Sequence, residues 1–493
     1  MECASPPPAS GAESLGRQVR RAVLWRSGSQ ILAQMAQWAA TFLVIRLLAP
    51  QDYGLYAMTG VILVFLNMLN GYGLASGLIQ RKDVSPQQIR QAFGMLIALN
   101  MSLALAQIAG APLVAAYYRQ PEITALLRVQ ALIYLVTPFA ALPYALLSRA
   151  MEFRWQAGAN IAASITGAAV ALGGALAGWG VWTLVYAPIA LYAARALVLT
   201  WGAGSLMWPS FDFRGAGQLA RYGGVMAAGQ FFWFLQSQAD VVIAGRRFAP
   251  HSLGIYTTAL FLAQIFVSKV VPPLNEVAFS AYARIQHDAG AVAAAFVRSA
   301  RIIMLAALPF YLGLATTAEP LVLTVLGRKW AEVAPVVRLI ALAMPFMTLQ
   351  VLYVPACDAR GRPDISARNG AVGAAVLAIA FLVGVHWGSV GLAWSWVAAY
   401  PVYLGVSSRR ALPVIGVRAR DLAAAIAPAA LAATGMAAAV RLVDAALPAI
   451  AAPERLAILV ATGAATYAAW LALFARGTVR EAIAVLRGRP AAA

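Results

Sequence analysis

The chain has 493 residues, 62% of them hydrophobic and 11% charged, with a formal net charge of +19. Soluble domains carry about 25% charged residues, so a soluble multidomain protein is excluded. The positive charge does not mark a nucleic-acid binder either, because the basic residues come as short clusters between apolar windows, with no basic domain or basic aromatic groove.

Residues 1–20 begin with MECASPPPASGAESLG, a polar Pro- and Ser-rich stretch of the kind found in disordered tails. No short apolar core with a small-residue cleavage site follows, so the first apolar helix is read as a retained span. Windows long enough to cross a bilayer then recur to the end of the chain. They predict an all-α integral membrane protein with fourteen transmembrane helices. These fall roughly at 27–48, 55–78, 92–117, 124–148, 158–178, 181–202, 222–245, 254–280, 295–317, 334–356, 367–387, 389–407, 421–443 and 455–475.

The arginine clusters fall on alternate linkers. Arg17/Arg20/Arg21, Arg360/Arg362/Arg368, Arg409/Arg410/Arg418/Arg420 and Arg476/Arg480/Arg487/Arg489 lie on one side. The excess of Lys and Arg in cytoplasmic loops then predicts both termini in the cytoplasm and an even number of spans.

An internal repeat divides the spans. VIRLLAPQDYGLY (44–56) and AGRRFAPHSLGIY (244–256) align at an offset of 200 residues, with Arg46/Arg246, Pro50/Pro250, Gly54/Gly254 and Tyr56/Tyr256 identical. Six spans separate the copies, which keeps their orientation and predicts a parallel pseudo-two-fold pair of six-helix lobes. The expected organisation is a cytoplasmic tail at 1–20 and an N-lobe at 21–202. A cytoplasmic linker at 203–221 leads to a C-lobe at 222–407, two further helices at 408–475 and a cytoplasmic tail at 476–493. A cleft between the lobes is the expected substrate site.

Charges inside spans are costly, about 2.5–3.5 kcal/mol on insertion scales, so they point to a cavity or a partner. Lys269 lies in span 8, followed by Pro272, Pro273 and Glu276. The prolines predict a helix break, and Lys269, Pro273, Glu276 and Ser280 share one helical face. This is either a polar cleft wall with Lys269 facing an anion and Glu276 balancing it, or an internal ion pair on a kinked helix. Span 1 carries a polar stripe of Gln30, Gln34 and Gln37, and span 7 places Gln230, Ser237 and Gln238 in one sector. Both stripes suit either the cleft or glutamine-mediated helix packing. Asp240, the acid inside span 7, is either an ion-coupling site or the partner of Arg246 or Arg247. Arg26 either greets a phosphate or snorkels at the inner interface. Arg46 and Arg246 either contact substrate or cap helix C-termini.

Other chemistries are missing from the sequence. It has no GxxxxGK[ST] nucleotide loop, and its three histidines, His251, His287 and His386, are far apart. Cys3 and Cys357 define neither a disulfide framework nor a metal spacing. No catalytic constellation, metal site or cofactor is expected.

The stretches RLLAPQDYGLYAM, GLASGLIQRKD, ADVVIAGRRFAPHSLGIYTTA, PPLNEVAFSAYARIQHD and VLGRKWAEVAPVVRLIALAMPF, spread over about residues 20–370, resemble the polysaccharide flippase family. These are the Wzx-like polysaccharide transporters of the multidrug/oligosaccharidyl-lipid/polysaccharide exporter superfamily. A proline usual in that family before R-I-Q is replaced here by Ser280. The resemblance implies fourteen helices around a V-shaped cavity. It also implies flipping of an undecaprenyl-diphosphate-linked oligosaccharide to the periplasmic leaflet for exopolysaccharide, capsule or O-antigen synthesis, driven by an ion gradient. Partners implied are the bilayer, that lipid and the polysaccharide polymerase and chain-length machinery. The alternative is a small-molecule or multidrug cation antiporter of the same superfamily. A membrane glycan polymerase is disfavoured by the short outer loops.

Overall fold

The computed structural model describes residues 37–38, 40–70, 85–205, 207–212, 234–474 and 476–477. The tail at 1–20, most of the tail at 476–493, residues 213–221 of the linker, and Arg26, Gln30, Gln34 and Gln230 lie outside the described residues. Among the described residues the regular structure is helical, with no strand.

In chain order, α1 covers residues 40–47, α2 is Pro50–Leu69, α3 Pro86–Tyr118, α4 Glu122–Gln130, α5 Leu132–Val136 and α6 Pro138–Arg149. There follow α7, Phe153–Leu176, α8, Val181–Ala203, and α9, residues 234–247. Then come α10, Pro250–Lys269, α11, Val271–Arg284, α12, Ala289–Thr316, and α13, Ala318–Val325. The chain closes with α14, Val333–Val351, α15, Tyr353–Ala359, α16, Pro363–Gly384, α17, Gly388–Ile415, α18, Ala419–Ala446, and α19, Ala452–Phe474.

Among the described residues, eleven stretches are long and apolar enough to cross a membrane, and one of them, Pro363–Ile415, holds both α16 and α17. Together with α1 and α9, each of the fourteen expected spans has a helical counterpart. Observed helices often start several residues before the hydropathy window, because a proline occupies the first turn, where its missing N–H costs no hydrogen bond. Pro50, Pro86, Pro250 and Pro363 all do this. Among the described residues, three spans are broken inside. Span 4 is divided at Ala131 and Thr137, where Pro138 cannot donate and the Thr137 hydroxyl bonds the Ile133 carbonyl at 2.8 Å. Span 8 breaks between α10 and α11, and span 10 between α14 and α15.

The chain forms two compact units. The first comprises Met1–Leu47, Phe65–Ala116 and Gln120–Ala228; the second comprises Leu48–Val64, Tyr117–Arg119 and Gly229–Ala493. In the first, α8 packs along α7 and against α6. One core gathers Phe93, Leu96 and Leu142, and another gathers Leu147, Ala159, Ala196 and Leu199. Residues 207–212 run back over the start of α3, where Ser210 N–H donates to the Arg90 carbonyl at 2.9 Å and Arg90 Nε donates to the Trp208 carbonyl at 2.9 Å. In the second unit α12 packs on α18, α14 on α17, and α16 on α17, while α18 and α19 share a core of Met436, Val440 and Leu459. Alanine and glycine are frequent at these contacts, as lipid-solvated helices require for close van der Waals approach.

Candidate functional site

The second unit contains a buried polar cluster built on Asp240. Asp240 lies in α9 and is 1% exposed. Its Oδ2 accepts a hydrogen bond from the Tyr256 hydroxyl at 2.7 Å, and its Oδ1 accepts from the Val241 N–H at 2.8 Å. Tyr256, in the second turn of α10, accepts in turn from Trp396 Nε1 of α17 at 2.7 Å. One buried carboxylate is thus held through two side chains from two other helices. Neither Arg246 nor Arg247 joins it. Arg246 donates to the Tyr117 carbonyl, and its guanidinium lies 5.4 Å from the centre of the Tyr117 ring. That contact sits at the C-terminal end of α3, where free carbonyls attract a cation.

The cluster continues along one face of α17. Trp396, Tyr400 and Tyr403 follow at spacings of four and three residues, which stacks them on one side of a helix. The Trp396 and Tyr400 rings are parallel within 10°, with centres 5.3 Å apart. Gln350 of α14 donates to the Tyr403 hydroxyl at 2.8 Å. Such networks in low dielectric are fully satisfied or expensive. Asn369 Oδ1 of α16 and Thr258 Oγ1 of α10 are among the groups in this unit that are buried without a hydrogen bond.

Lys269 is the last residue of α10, at the break in span 8. Pro272 and Pro273 stand in the first turn of α11, so the chain turns at Val270 and resumes as helix. Lys269, Pro273, Glu276 and Ser280 are all exposed. Among the described residues, the charged groups of Lys269 and Glu276 make no ion pair, with each other or with any other residue. Asn275 Nδ2 donates to the Val351 carbonyl at 3.3 Å, tying this break to the one between α14 and α15.

The two proline–glycine turns of the repeat meet inside the second unit. Gly54 of α2 faces the Pro250 carbonyl, and Gly254 of α10 faces the Pro50 carbonyl, so a Cβ on either glycine would overlap the opposing backbone. The reciprocity follows from the repeat, since equivalent residues cross at a point where only glycine leaves room. Nearby, the Tyr53 and Trp330 rings meet edge-on at 5.6 Å, and Asp52 caps α2 by accepting from the Ala49 N–H at 2.9 Å.

The remaining sequence-selected residues are separate from these groups or only partly joined to them. Arg46 is exposed at the end of α1. Gln37 is half-buried, and its carbonyl accepts from Thr41 Oγ1 at 2.7 Å. Ser237 donates to the Phe234 carbonyl at 3.2 Å within α9, and Gln238 is half-buried beside it. Trp396, Tyr400 and Gln350 join the cluster without standing out in the sequence. Their signal was the aromatic stripe at helical spacing, which is indistinguishable from ordinary core until Asp240 is placed against it. Asp240 has no counterpart in the first copy, where the residue at the repeat offset is Ala40.

Comparison with known proteins agrees with this architecture. The family model described as "Polysaccharide biosynthesis protein" matches residues 43–335. The chain is 27% identical over 352 residues to the succinoglycan biosynthesis transport protein ExoT of Rhizobium meliloti, covering 71% of this chain and 70% of that one. It is 22% identical over 356 residues to the teichuronic acid biosynthesis protein TuaB of Bacillus subtilis, covering 72% and 74%. Among solved structures, the lipid II flippase MurJ in an inward closed conformation superposes with a TM-score of 0.76 at 11% identity, covering 93% of this chain and 100% of that one. A multidrug resistance MATE family transporter of the MOP superfamily, facing inward, gives 0.60 at 13% identity, covering 81% and 100%. The fold is thus the one shared by these two solved structures. The chain belongs to the polysaccharide biosynthesis protein family, whose model spans more than half of it.

Proposed function

We propose that this multi-pass membrane protein flips a lipid-linked oligosaccharide, carried on undecaprenyl diphosphate, from the cytoplasmic to the periplasmic leaflet of a bacterial inner membrane. The product supplies exopolysaccharide, capsule or O-antigen synthesis. In this reading both termini are cytoplasmic. Two six-helix lobes, 21–202 and 222–407, open their cleft alternately to either side, and the polymerase and chain-length machinery act on the delivered unit. The protein makes and breaks no covalent bond in the substrate.

The observation that carries the proposal is the exposed cation at the broken middle of span 8, in a chain of this family. Lys269 has no ionic partner of its own among the described residues, and a diphosphate supplies one. Glu276, a further two turns along, limits the net charge so that the anion can leave again. The Gln37, Ser237 and Gln238 side chains, with Gln30, Gln34 and Gln230, provide polar groups for the sugar. Arg26, Arg46 and Arg246 are assigned to the substrate's charged part at either end of its path. Asp240 is assigned to ion coupling, because a wholly buried carboxylate with no cation beside it among the described residues can bind and release one.

The MATE-like fold favours a second reading, export of a small cation in exchange for an ion. A cation exporter presents acid to its substrate, whereas the exposed charge at this helix break begins with a lysine. The two readings separate in a deletion strain. Flipping predicts lipid-linked oligosaccharide held on the inner leaflet and loss of surface polysaccharide. Normal polysaccharide with altered dye or drug sensitivity supports the exporter and contradicts the flippase.

A further inference from the structure

The internal repeat extends beyond the turns at Pro50 and Pro250. EITALLRVQAL (122–132) and EVAPVVRLIAL (332–342) align at an offset of 210 residues, with Glu122/Glu332, Arg128/Arg338, Ala131/Ala341 and Leu132/Leu342 identical. Arg128 is the seventh residue of α4 and Arg338 the sixth of α14. These helices open spans 4 and 10, each the fourth span of its repeat copy.

The structure gives the two arginines the same setting, one in each unit. Arg128 is exposed and is followed at helical spacing by exposed Leu132 and Leu135. Arg338 is half-buried and is followed by exposed Leu342 and Phe346. Ala131, between α4 and α5, keeps right-handed helical angles, φ −58° and ψ −21°, so the stripe runs on across it. Both stripes lie on enclosed helices. Among the eleven apolar stretches, Glu122–Arg149 and Val333–Ala359 are the most buried, 61% in each, against 17% for α19 and 22% for α7 and α8. A lipid-facing helix is bare over most of its surface, as α19 is. A narrow exposed stripe on an enclosed helix opens instead onto an internal path.

Neither arginine is answered by the protein. Among the described residues, Arg128 and Arg338 make no ion pair and no hydrogen bond, and Arg338 Nε is buried. Glu122 and Glu332 stand six residues back, a third of a turn around the helix and about 9 Å along it, out of reach. A buried guanidinium N–H without an acceptor is costly, so the group calls for an acceptor that the fold does not supply.

Depth and chemistry name that acceptor. Spans 4 and 10 hold 28 and 27 residues, roughly 40 Å of helix, about 10 Å more than the hydrocarbon core. Both arginines lie about 8–9 Å from the starts of their spans, and so at the edge of the hydrocarbon. For span 10 this is the end away from the Arg360/Arg362/Arg368 linker. A planar guanidinium pairs with phosphate oxygens through two parallel charge-assisted hydrogen bonds. At this level a phosphate is borne by a lipid, either the transported carrier or a phospholipid. The enclosed setting favours the carrier, since phospholipids of the surrounding bilayer meet the bare helices first.

We propose that Arg128 and Arg338, each from its own unit, bind the diphosphate of the transported lipid on the periplasmic part of its path. The proposal rests on the flippase reading and its orientation. Lys269, the last of the twenty residues of α10, meets the anion deeper in the membrane, and the two arginines meet it nearer its exit.

The test uses the full-length purified protein in neutral detergent. Farnesyl diphosphate, farnesol and short-chain phosphatidylglycerol are titrated separately, and binding is read by native mass spectrometry. The Arg128→Gln/Arg338→Gln double variant is expected to bind farnesyl diphosphate about tenfold more weakly, and the other two lipids as the parent does. Arg128→Lys/Arg338→Lys keeps the charge without the planar fork and is expected to lose about threefold. Arg328→Gln, in the segment between α13 and α14, leaves all three affinities unchanged. Unaltered farnesyl diphosphate binding in the glutamine variant overturns the proposal. So does an equal loss for phosphatidylglycerol, which makes the arginines phospholipid anchors. Crossing of lipid-linked oligosaccharide in liposomes separates this inference from the reading beneath it. About tenfold slower crossing by the glutamine variant supports both. Crossing by the parent that the variant matches overturns this inference alone, and no crossing by the parent overturns the flippase reading.

Discussion

Replacing Tyr256 by Phe removes one oxygen and leaves the ring in place, so it creates almost no cavity. Tyr256 donates to Asp240 Oδ2 at 2.7 Å and accepts from Trp396 Nε1 at 2.7 Å, and all three side chains are buried. The variant therefore loses a hydrogen bond to a carboxylate and also strands an indole N–H. Orphaning a buried donor costs about 1–3 kcal/mol. Hydrogen bonds within membranes average about 0.6 kcal/mol and reach about 1.7, because the unfolded chain in lipid finds other partners. The Asp240 bond belongs near the upper figure, so Tyr256→Phe should destabilise by about 2–4 kcal/mol.

Asp240→Asn keeps the shape and removes the charge. In a double-mutant cycle with Tyr256→Phe, the two changes should be less than additive by about 1–2 kcal/mol. The assay is reversible unfolding in mixed micelles, followed by helical circular dichroism. A coupling energy of zero, or a Tyr256→Phe variant as stable as the parent, would refute the claim that Tyr256 positions the Asp240 carboxylate.

Other consequences are tested separately. Lys269→Ala should abolish transport while insertion and abundance stay normal, and Lys269→Arg should retain part of it; full activity of the alanine variant in a polysaccharide complementation assay removes Lys269 from the substrate path. Asp240→Asn should weaken the dependence of transport on the ion gradient, measured by collapsing that gradient with ionophores, and an unchanged dependence leaves Asp240 structural. Gly54→Ala and Gly254→Ala should each cost about 1–3 kcal/mol by overpacking. Their double variant should cost less than the sum, because one clash already parts the crossing; full additivity in thermal unfolding would mean the glycines do not face each other as described.

The helical spans were legible because spanning a bilayer imposes one length and one composition on every helix. Breaks were legible where proline caused them, as at Pro272 and Pro273. The break between α14 and α15 carried no such sign, since Pro345 lies about two turns before it and Pro355 follows it. The repeat was read from loop residues, and it placed Gly54 and Gly254 as equivalents. Their face-to-face contact needed the structure, because sequence offset states equivalence and not proximity.

Asp240 stood out as a charge in a span, but its partners did not. Nearby arginines were the natural expectation, whereas helix rotation turns Arg246 to Tyr117 and Asp240 inward to Tyr256. Trp396 is 140 residues from Tyr256 and has no sequence link to it.

The most direct test of the flippase account is reconstitution of the purified protein into liposomes with lipid-linked oligosaccharide extracted from the host's own pathway. A glycosidase added outside reads the glycan that has crossed. The account predicts crossing that requires the protein and falls to the protein-free level with Lys269→Ala. Crossing no faster than in protein-free liposomes, under an imposed ion gradient of either direction, would contradict it.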